Sequence, residues 1–256
     1  MILRRIGSKA KIAKEIIKYF PKHISYIELF FGCGGLYFNK PFIKKNFLND
    51  SDSNVYNCFD MLLRHKNELR EYLEFIPYHI DFWNECKTRT PDNNIEKAVY
   101  FLVLSNFGYM GMPETLTFNL SNSKQILKNN IEKTYKILAN NHNQFLNCDF
   151  RDVLSKISFS DKTHNAFIYS DPPYFETNNN YESEKWTEQD VKDCFDVTFN
   201  SGFKAAMSEF QHPFIIEQAK QRGLNINIIG ERRSLKNVST EILITNYDKI
   251  NKNLFD

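Results

Sequence analysis

The tetrapeptide Asp171-Pro172-Pro173-Tyr174 has the most definite chemical character in the chain. It directly follows an apolar, β-rich run, Phe167–Ser170. Prolines cannot donate to a sheet, and the residue before a proline is held extended, so the predicted strand ends here in a stiff loop. The loop presents a carboxylate, a proline carbonyl and an aromatic face at the carboxyl edge of the predicted sheet, where open α/β folds bind ligands.

Such a set of groups suits the alkylation of an exocyclic amine, for example N6 of adenine. The lone pair of that nitrogen is delocalised into the ring, which makes it a poor nucleophile. The Asp171 carboxylate and the Pro172 carbonyl can each accept an N6 hydrogen, while Tyr174 can stack on the base and align it. An ordinary Asp-Pro turn followed by a core tyrosine is the alternative for the tetrapeptide taken alone.

A second candidate region is the run E-L-F-F-G-C-G-G at 28–35, a predicted strand that enters a glycine turn. Glycines allow positive φ and let the backbone approach a ligand closely. Asp50 follows at the end of the next predicted strand, where α/β folds place an acid on ribose hydroxyls. The turn, the acid and the distant tetrapeptide together favour one ligand site over an isolated glycine turn.

The elements around these motifs alternate between strands and helices at both ends of the chain. Apolar residues at helical spacing predict a helix over 9–20 that stops at Pro21, and Thr187 can cap a helix that runs to about Asn200. Strands are predicted at residues 24–31, 44–48, 166–169, 203–208, 225–229 and 241–245, the last two as a hairpin-like pair. A strand, a glycine turn, a helix and a strand are the typical opening of a parallel α/β sheet.

The middle of the chain has a different pattern. Helices are predicted at 55–73, 94–104 and 124–140, with no buried strand and one irregular stretch at 105–123. The sequence therefore predicts a mixed, mostly parallel, Rossmann-like α/β sheet formed by 1–54 and 148–256, with a helical domain inserted at 55–147.

Composition excludes several classes of protein. The 256 residues carry a formal net charge of +2, which says little about partners, and no apolar run reaches the ~20 residues of a membrane helix. The basic stretch Met1–Lys14 lacks the apolar core of a secretory signal, so we expect a soluble intracellular protein. Five cysteines without C-x-x-C spacing predict free thiols. No metalloprotease, EF-hand or P-loop motif occurs, and we expect no metal.

The order of the motifs resembles that of a known family. A G-S-K step at 7–9, the F-F-G-C-G run at 30–34, a helical insertion and Asp171–Tyr174 follow one another. They resemble the Gly-x-Lys, F-x-G-x-G, recognition-domain and D-P-P-Y order of the Dam-type (alpha-group, D12 class) DNA N6-adenine methyltransferases, including those of T-even phages. The resemblance spans nearly the whole chain. It implies methyl transfer from S-adenosylmethionine to a flipped adenine of double-stranded DNA, without a metal.

The resemblance also implies a set of cofactor-binding residues. Arg5 and Lys9 correspond to residues at the methionine end of the cofactor, Asp50 to the acid on its ribose, and Asp149-Phe150 to the pair that flanks its adenine. The full set comprises Arg5, Gly7, Lys9, Glu28, Phe30, Phe31, Gly32, Gly34, Gly35, Asp50, Asp149, Phe150 and Asp171.

The implied catalytic residues are Asp171, Pro172, Pro173 and Tyr174, with Asp171 shared between the cofactor pocket and the target amine. Weaker likenesses link 207–210 and 235–245 to a strand end and a late loop-and-strand motif of the family. Tyr181 and Trp186 are candidates either for lining the pocket of the flipped base or for a contact at the start of the following helix.

The irregular stretch departs from the GATC-methylating members of that family. These typically carry R-x-N-x-x-G-x-F-N-x-P-x-G, whereas this chain has S-N-F-G-Y-M-G-M-P and then T-F-N-L, without the arginine or the trailing Pro-x-Gly. Arginine is the commonest bidentate reader of guanine, so a GATC target is not predicted. We expect DNA contacts from Asn106, Tyr109, Met110, Met112 and Asn119, with a plain surface loop as the alternative.

Three alternative functions remain open from the residues alone. N4-cytosine methyltransferases use a similar tetrapeptide that more often begins with Ser, and Asp171 favours adenine. Methylation of RNA or of a protein amide is a second alternative, and a catalytically dead DNA-binding relative is a third, against which the intact Asp171, Tyr174 and Asp50 argue. We expect a monomer or weak dimer in the cytoplasm of a prokaryote or phage-infected cell, with no membrane contact and with a cognate restriction endonuclease as a candidate partner.

Overall fold

The computed structural model describes residues 1–5, 7–77, 79–108, 111–112, 114, 116, 120–159, 165–176, 186–233 and 238–249. The strands are β1 (Ser25–Glu28), β2 (Lys45–Asn49), β3 (His142–Leu146), β4 (Ala166–Ser170), β5 (Lys204–Phe210), β6 (Asn225–Arg233) and β7 (Val238–Thr245). The α-helices are α1 (Ala13–Ile17), α2 (Ser53–Arg64), α3 (Lys66–Phe75), α4 (Ile80–Thr88), α5 (Asn94–Phe107), α6 (Leu120–Ala139), α7 (Glu188–Phe199) and α8 (Pro213–Gln221). Short 3₁₀ turns cover Lys9–Lys11, Phe150–Asp152 and Leu154–Lys156.

The strands form one sheet in the order β3-β2-β1-β4-β5-β7-β6. Pairing is parallel from β3 through β5, and β7 runs antiparallel to both β5 and β6. The predicted mixed, mostly parallel α/β fold is therefore confirmed. Because β1 lies between β2 and β4, the chain order reverses there, and the carboxyl ends of β1 and β4 border the crevice in which such sheets bind ligands.

The inner strands are apolar because both faces of the sheet are covered. Every residue of β4 is buried. Phe167 packs into the apolar cluster on one face and Ile168 into the cluster on the other. Tyr26 and Ile27 of β1 divide in the same way. A parallel strand that is covered on both faces has this continuous apolar run in its sequence.

The helices between β2 and β3 share the core of one sheet face. Val99 and Leu102 of α5 belong to the same buried cluster as Tyr26 and Phe167 of the sheet. This helical region thus packs directly on the sheet through apolar side chains.

The prediction that residues 54–147 hold no buried strand leaves out β3, which is an edge strand of the sheet. This strand pairs in parallel with β2, from Lys45↔His142 to Asn49↔Leu146. Its sequence, H-N-Q-F-L, has exposed and half-buried side chains because it is the edge strand of the sheet. An edge strand needs no continuous apolar run, so the sequence pattern does not reveal it.

Three helical features also differ from prediction. The helix predicted at 55–73 is divided into α2 and α3 at His65, whose φ of −130° and ψ of 36° are not helical. Neither α4 nor α8 was predicted, although α8 has a readable start: His212 accepts from the Phe214 amide, and Pro213 occupies the first turn. The predicted capping of α7 by Thr187 is confirmed. None of the described helices is long and apolar enough to cross a membrane.

Candidate active site

The glycine turn after β1 holds the carboxylate of Asp50 in a fixed orientation. The Gly32 amide donates to Asp50 Oδ2 at 2.6 Å, and the Asp52 amide donates to Oδ1 at 2.9 Å. Gly32 has a φ of 52°, and no described atom lies within 4 Å of where its Cβ would stand. Burial raises the pKa of Asp50, and the nearby Arg5 guanidinium opposes that shift. Each carboxylate oxygen keeps a further lone pair for a ligand hydroxyl.

The same turn positions Lys9. A Cβ on Gly35 would come within 2.9 Å of the Lys9 amide nitrogen and 3.0 Å of Ser8 Oγ, so only glycine allows this close approach. Gly7, with a φ of 91°, turns the chain just before Lys9. The N-terminal segment is thereby packed on the glycine turn, and the Lys9 side chain reaches the sheet edge.

Lys9 and Asp171 form the centre of a buried charged cluster. Lys9 Nζ lies 2.7 Å from Asp171 Oδ1 and 3.4 Å from Glu241 Oε1. The Lys9 side chain is 5% exposed and that of Asp171 is 19% exposed. Burial raises the pKa of Asp171, while the Lys9 ammonium opposes the shift. Perturbed carboxylates beside a specific charge partner are typical of functional sites.

Tyr174 belongs to the same cluster. Its hydroxyl donates to Glu241 Oε1 at 2.7 Å, and Lys9 Nζ stands 4.4 Å from the centre of its ring. Phe210 packs edge-to-face on the ring, with 4.5 Å between centroids. Burial, followed by the Asp171 and Glu241 charges, raises the pKa of Tyr174 well above its ordinary value, so the phenol keeps its proton.

Glu209 fixes the loop that follows the tetrapeptide. The Phe175 amide donates to its Oε1 at 3.0 Å, and the Phe210 amide donates to Oε2 at 2.7 Å. Its side chain is almost fully buried at the end of β5, and this burial raises its pKa to about 8. The Glu209 carboxyl group therefore joins the loop after β4 to the end of β5.

Sequence reasoning missed both Glu209 and Glu241 as individual residues. Each is an acid inside an otherwise apolar strand, in M-S-E-F and T-E-I-L respectively. An acidic residue at the buried edge of a predicted strand was the available signal, because buried carboxylates need partners.

An aromatic cluster lies beside the glycine turn. The Phe30 ring is 5.2 Å from that of Phe150 and 6.0 Å from that of Trp186, and Phe150 and Trp186 are 5.6 Å apart. Trp186 therefore joins the residues predicted to hold the adenine of the cofactor. Its buried indole nitrogen has no hydrogen-bond partner among the described residues. Tyr181 lies outside the described residues.

Asp149 is engaged by its neighbour Arg151. The Arg151 amide donates to Asp149 Oδ1 at 2.8 Å, and the guanidinium lies 3.1 Å from Oδ2. The guanidinium also pairs with Asp190 and Asp193 of α7 and stands 4.4 Å from the centre of the Phe150 ring. Arg151 thus connects the Asp149-Phe150 step to α7.

Three further predicted cofactor residues are placed around this edge. Glu28 is 2% exposed, accepts from the Tyr26 hydroxyl at 3.0 Å, and has its pKa raised by burial. Phe31 is buried in the core. Arg5 pairs at 3.0 Å with Asp52, whose own amide holds Asp50. Arg5 therefore acts on the Asp50 site both by its own charge and through Asp52, whereas Glu28 and Phe31 lie inside the protein.

The residues predicted to contact DNA are placed differently. Asn106 is 2% exposed, and its amide donates to Ile2 O at 2.7 Å and to Leu102 O at 3.0 Å. With both hydrogens used inside the protein, the structure speaks against Asn106 as a reader of base edges. Its burial follows because α5 continues to Phe107 and packs on the N-terminal segment. Met112 is half-buried. The other three, Tyr109, Met110 and Asn119, lie outside the described residues.

The site contains no candidate metal centre in the part of the chain that the structure describes. There, no group of three or more His, Cys, Asp or Glu side chains is placed to hold an ion.

Comparison with known proteins gives a family match over most of the chain. The model of the D12 class N6 adenine-specific DNA methyltransferases matches residues 6–242. The chain is 26% identical to modification methylase StsI of Streptococcus sanguinis, over 99% of this chain and 44% of that protein. It is 25% identical to type II methyltransferase M1.LlaDCHI of Lactococcus lactis subsp. cremoris, over 94% of this chain and 93% of that protein. The chain thus spans less than half the length of the first relative.

Two solved structures share a distant likeness of shape. Trm5b from Pyrococcus abyssi aligns with a TM-score of 0.38 at 10% identity, over 95% of this chain and 49% of that one. The rRNA methyltransferase aviRa from Streptomyces viridochromogenes aligns with a TM-score of 0.39 at 10% identity, over 92% of this chain and 82% of that one.

Proposed function

Because the chain belongs to the D12 class N6 adenine-specific DNA methyltransferases, we propose that it methylates the N6 amine of an adenine within a specific DNA sequence. S-adenosylmethionine is the proposed donor, and an adenine flipped out of duplex DNA is the proposed acceptor. The observation that carries this proposal is the cluster of Asp171, Tyr174 and Lys9 at the end of β4, next to the glycine turn after β1 and two strands from Asp50.

The residues around Asp50 fit the proposed cofactor. The carboxylate is oriented by two backbone amides and keeps lone pairs for a pair of ribose hydroxyls. The open side of Gly32 allows close approach of a ligand, and the cluster of Phe30, Phe150 and Trp186 offers an apolar surface for a purine. When bound, this cofactor supplies an electrophilic methyl group on a sulfonium.

The tetrapeptide would activate the amine without a covalent intermediate. The Asp171 carboxylate and the Pro172 carbonyl accept the two N6 hydrogens, which favours a pyramidal nitrogen with a free lone pair. Lys9 holds Asp171 at 2.7 Å and so fixes the position of that acceptor. The ring of Tyr174 aligns the base. Preorganised groups of this kind act where charge develops in the transition state.

The helical region 55–147 is the proposed DNA-recognition domain, inserted between the catalytic segments 1–54 and 148–256. The amine cannot be reached inside a duplex, so the target base is expected to leave the stack. Tyr109, Met110, Met112 and Asn119 stay the proposed contacts, as wedges or base readers.

The names of the relatives support a modification role. One is named a modification methylase and the other a type II methyltransferase. We propose that this chain likewise protects DNA, with a cognate restriction endonuclease as its functional counterpart.

Modification-sensitive sequencing of DNA from an expressing host tests this proposal. We expect methylated adenines within one short motif and none in a host that carries the Asp171→Ala variant. Methylated cytosines would favour the N4-cytosine alternative. Unmodified DNA from a host with folded, abundant protein would contradict the proposed activity and favour a DNA-binding protein without catalysis.

A further inference from the structure

Glu241 contacts the two side chains that surround Asp171, although it comes from the last strand of the sheet. Its Oε1 accepts from the Tyr174 hydroxyl at 2.7 Å and lies 3.4 Å from Lys9 Nζ. The side chain is 5% exposed. One carboxylate oxygen thus accepts the Tyr174 hydrogen and pairs with the Lys9 ammonium, which also pairs with Asp171.

Lys9 and Tyr174 both have an alternative acceptor in Asp171. Lys9 Nζ is 2.7 Å from Asp171 Oδ1. Tyr174, three residues further along the same loop, lowers the pKa of the Asp171 carboxyl, so its hydroxyl is the second donor available to that group. The Tyr174 hydroxyl has only one hydrogen, so it donates fully to only one of the two carboxylates at a time.

The division of the Lys9 and Tyr174 hydrogens between Asp171 and Glu241 affects how well Asp171 can accept a hydrogen from the target amine. A carboxylate accepts at a limited number of lone pairs, and every internal donor reduces its strength toward a further donor. Asp171 retains 19% exposure, although its Oδ1 is buried against Lys9. The accessible remainder of the carboxylate is the part that an incoming amine can reach.

We propose that Glu241 is a positioning residue that takes the Tyr174 hydrogen and shares the Lys9 ammonium, and thereby leaves Asp171 free to accept a hydrogen of the target amine. This inference rests on the proposed amine methylation. Without Glu241, the Tyr174 hydroxyl and Lys9 both turn to Asp171, which becomes a weaker acceptor, and the Tyr174 ring loses its anchor.

Glu241→Met and Tyr174→Phe, with their double variant, test the proposal in single-turnover methyl transfer. Methionine fills the site and accepts hydrogen bonds only weakly. Removal of one partner of a buried ion pair is often destabilising, so the Tm of this variant is measured beside its rate. We expect Glu241→Met to slow transfer about ten- to a hundredfold, less than the ~10²-fold or greater loss from removing a principal electrostatic group. Cofactor affinity should stay at the wild-type value.

The double variant separates positioning from a merely structural role. In the wild-type background Tyr174→Phe removes the hydroxyl that Glu241 holds and should slow transfer. In the Glu241→Met background the same change removes a donor that now saturates Asp171, so the rate should stay equal or rise. If Tyr174→Phe slows transfer by the same factor in both backgrounds, the two residues act independently and the proposal is wrong. A wild-type rate in Glu241→Met would also overturn it.

Glu241→Gln provides a second route if the methionine variant does not fold. Its amide oxygen still accepts from Tyr174, but without a negative charge it attracts Lys9 less strongly, so we expect a rate between those of wild type and Glu241→Met. A rate equal to wild type would contradict the sharing of Lys9. Glu217→Gln, an exposed acid on α8, is the matched control.

The wild-type protein distinguishes failure of this inference from failure of the proposed function. If the wild type forms no N6-methyladenine in duplex DNA, the proposed function is wrong. If the wild type does so and the four rates do not follow the stated pattern, only the role of Glu241 is wrong.

Discussion

Polar side chains are buried in two regions of the molecule, and the two sets make hydrogen bonds or ion pairs with different kinds of partner. Around Asp171 the partners are other charged or ionisable side chains, Lys9 and Glu241 among them. Where α5 meets the N-terminal segment, the neutral Ser105 and Asn106 bond to the backbone of Arg4 and Ile2. Neutral groups that satisfy backbone atoms are typical of structural contacts, whereas clustered ionisable groups at a sheet edge are typical of chemistry.

The largest expected effect tests the charged region. Asp171→Ala removes the charged acceptor for the amine, and we expect turnover to fall by ~10²-fold or more. The measurement is the methyl-transfer rate at saturating cofactor and DNA. The Tm of the variant and its cofactor affinity show whether folding and cofactor binding are intact. Asp171→Asn keeps the shape without the charge and should also be impaired. Near-normal turnover in a folded Asp171→Ala variant would place the active site elsewhere.

Asp50 belongs to the same edge but should act on binding. Asp50→Ala removes the carboxylate that is proposed to bind the ribose hydroxyls, and we expect S-adenosylmethionine to bind ~1.5–3 kcal/mol more weakly, or about ten- to a hundredfold. Calorimetric titration measures this directly. Asp81→Ala, at a side chain that is 86% exposed on α4, is the control and should bind normally. Unchanged affinity in Asp50→Ala would remove Asp50 from the cofactor site.

The neutral region predicts the opposite pattern. Asn106→Ala leaves the Ile2 carbonyl without its donor, and we expect a loss of ~1–3 kcal/mol in the free energy of unfolding, with the methylated sequence unchanged. Denaturant unfolding and methylome mapping together check this. Asn129→Ala, at an exposed position on α6, should cost far less. An altered methylated motif in Asn106→Ala would break the distinction between the two regions.

The smallest expected effect concerns Glu209. Its pKa of about 8 exceeds its ordinary value of 4.5, so between these pH values the unfolded chain loses a proton that the folded chain keeps. Stability from this group therefore falls as pH rises through that window. Glu209→Gln cannot ionise, so between pH 5 and 8 its free energy of unfolding should fall by roughly 1–2 kcal/mol less than that of the wild type, or about 2–8 °C in Tm. Parallel profiles for wild type and variant would contradict a protonated Glu209, while Glu217→Gln should follow the wild type.

The two regions also differ in how far the sequence alone predicts them. Asp171, Tyr174 and Asp50 belong to short motifs whose prolines, glycines and strand ends fix local geometry, so their neighbourhood could be predicted. Glu241 enters the cluster 67 residues after Tyr174 through the pairing of β7 with β5, which no local pattern specifies.

The environment of Asn106 likewise depends on a long-range contact that local sequence does not predict. The Asn106 side-chain amide donates to the backbone carbonyl of Ile2, 104 residues away. The residues next to Asn106 in sequence give no indication of that contact. The edge strand β3 escaped prediction for a related reason, because its side chains are only partly buried. Long-range packing, rather than residue type, decides whether such polar groups are structural or functional.

The central claim is that the cluster around Asp171 transfers a methyl group to the N6 amine of adenine. The most direct test incubates the purified chain with isotopically labelled S-adenosylmethionine and duplex DNA of mixed sequence, digests the DNA to nucleosides, and identifies the labelled species by mass spectrometry. We predict label in N6-methyladenine, and none when Asp171→Ala replaces the wild type. Label in N4-methylcytosine, or equal labelling by the two proteins, would contradict the account.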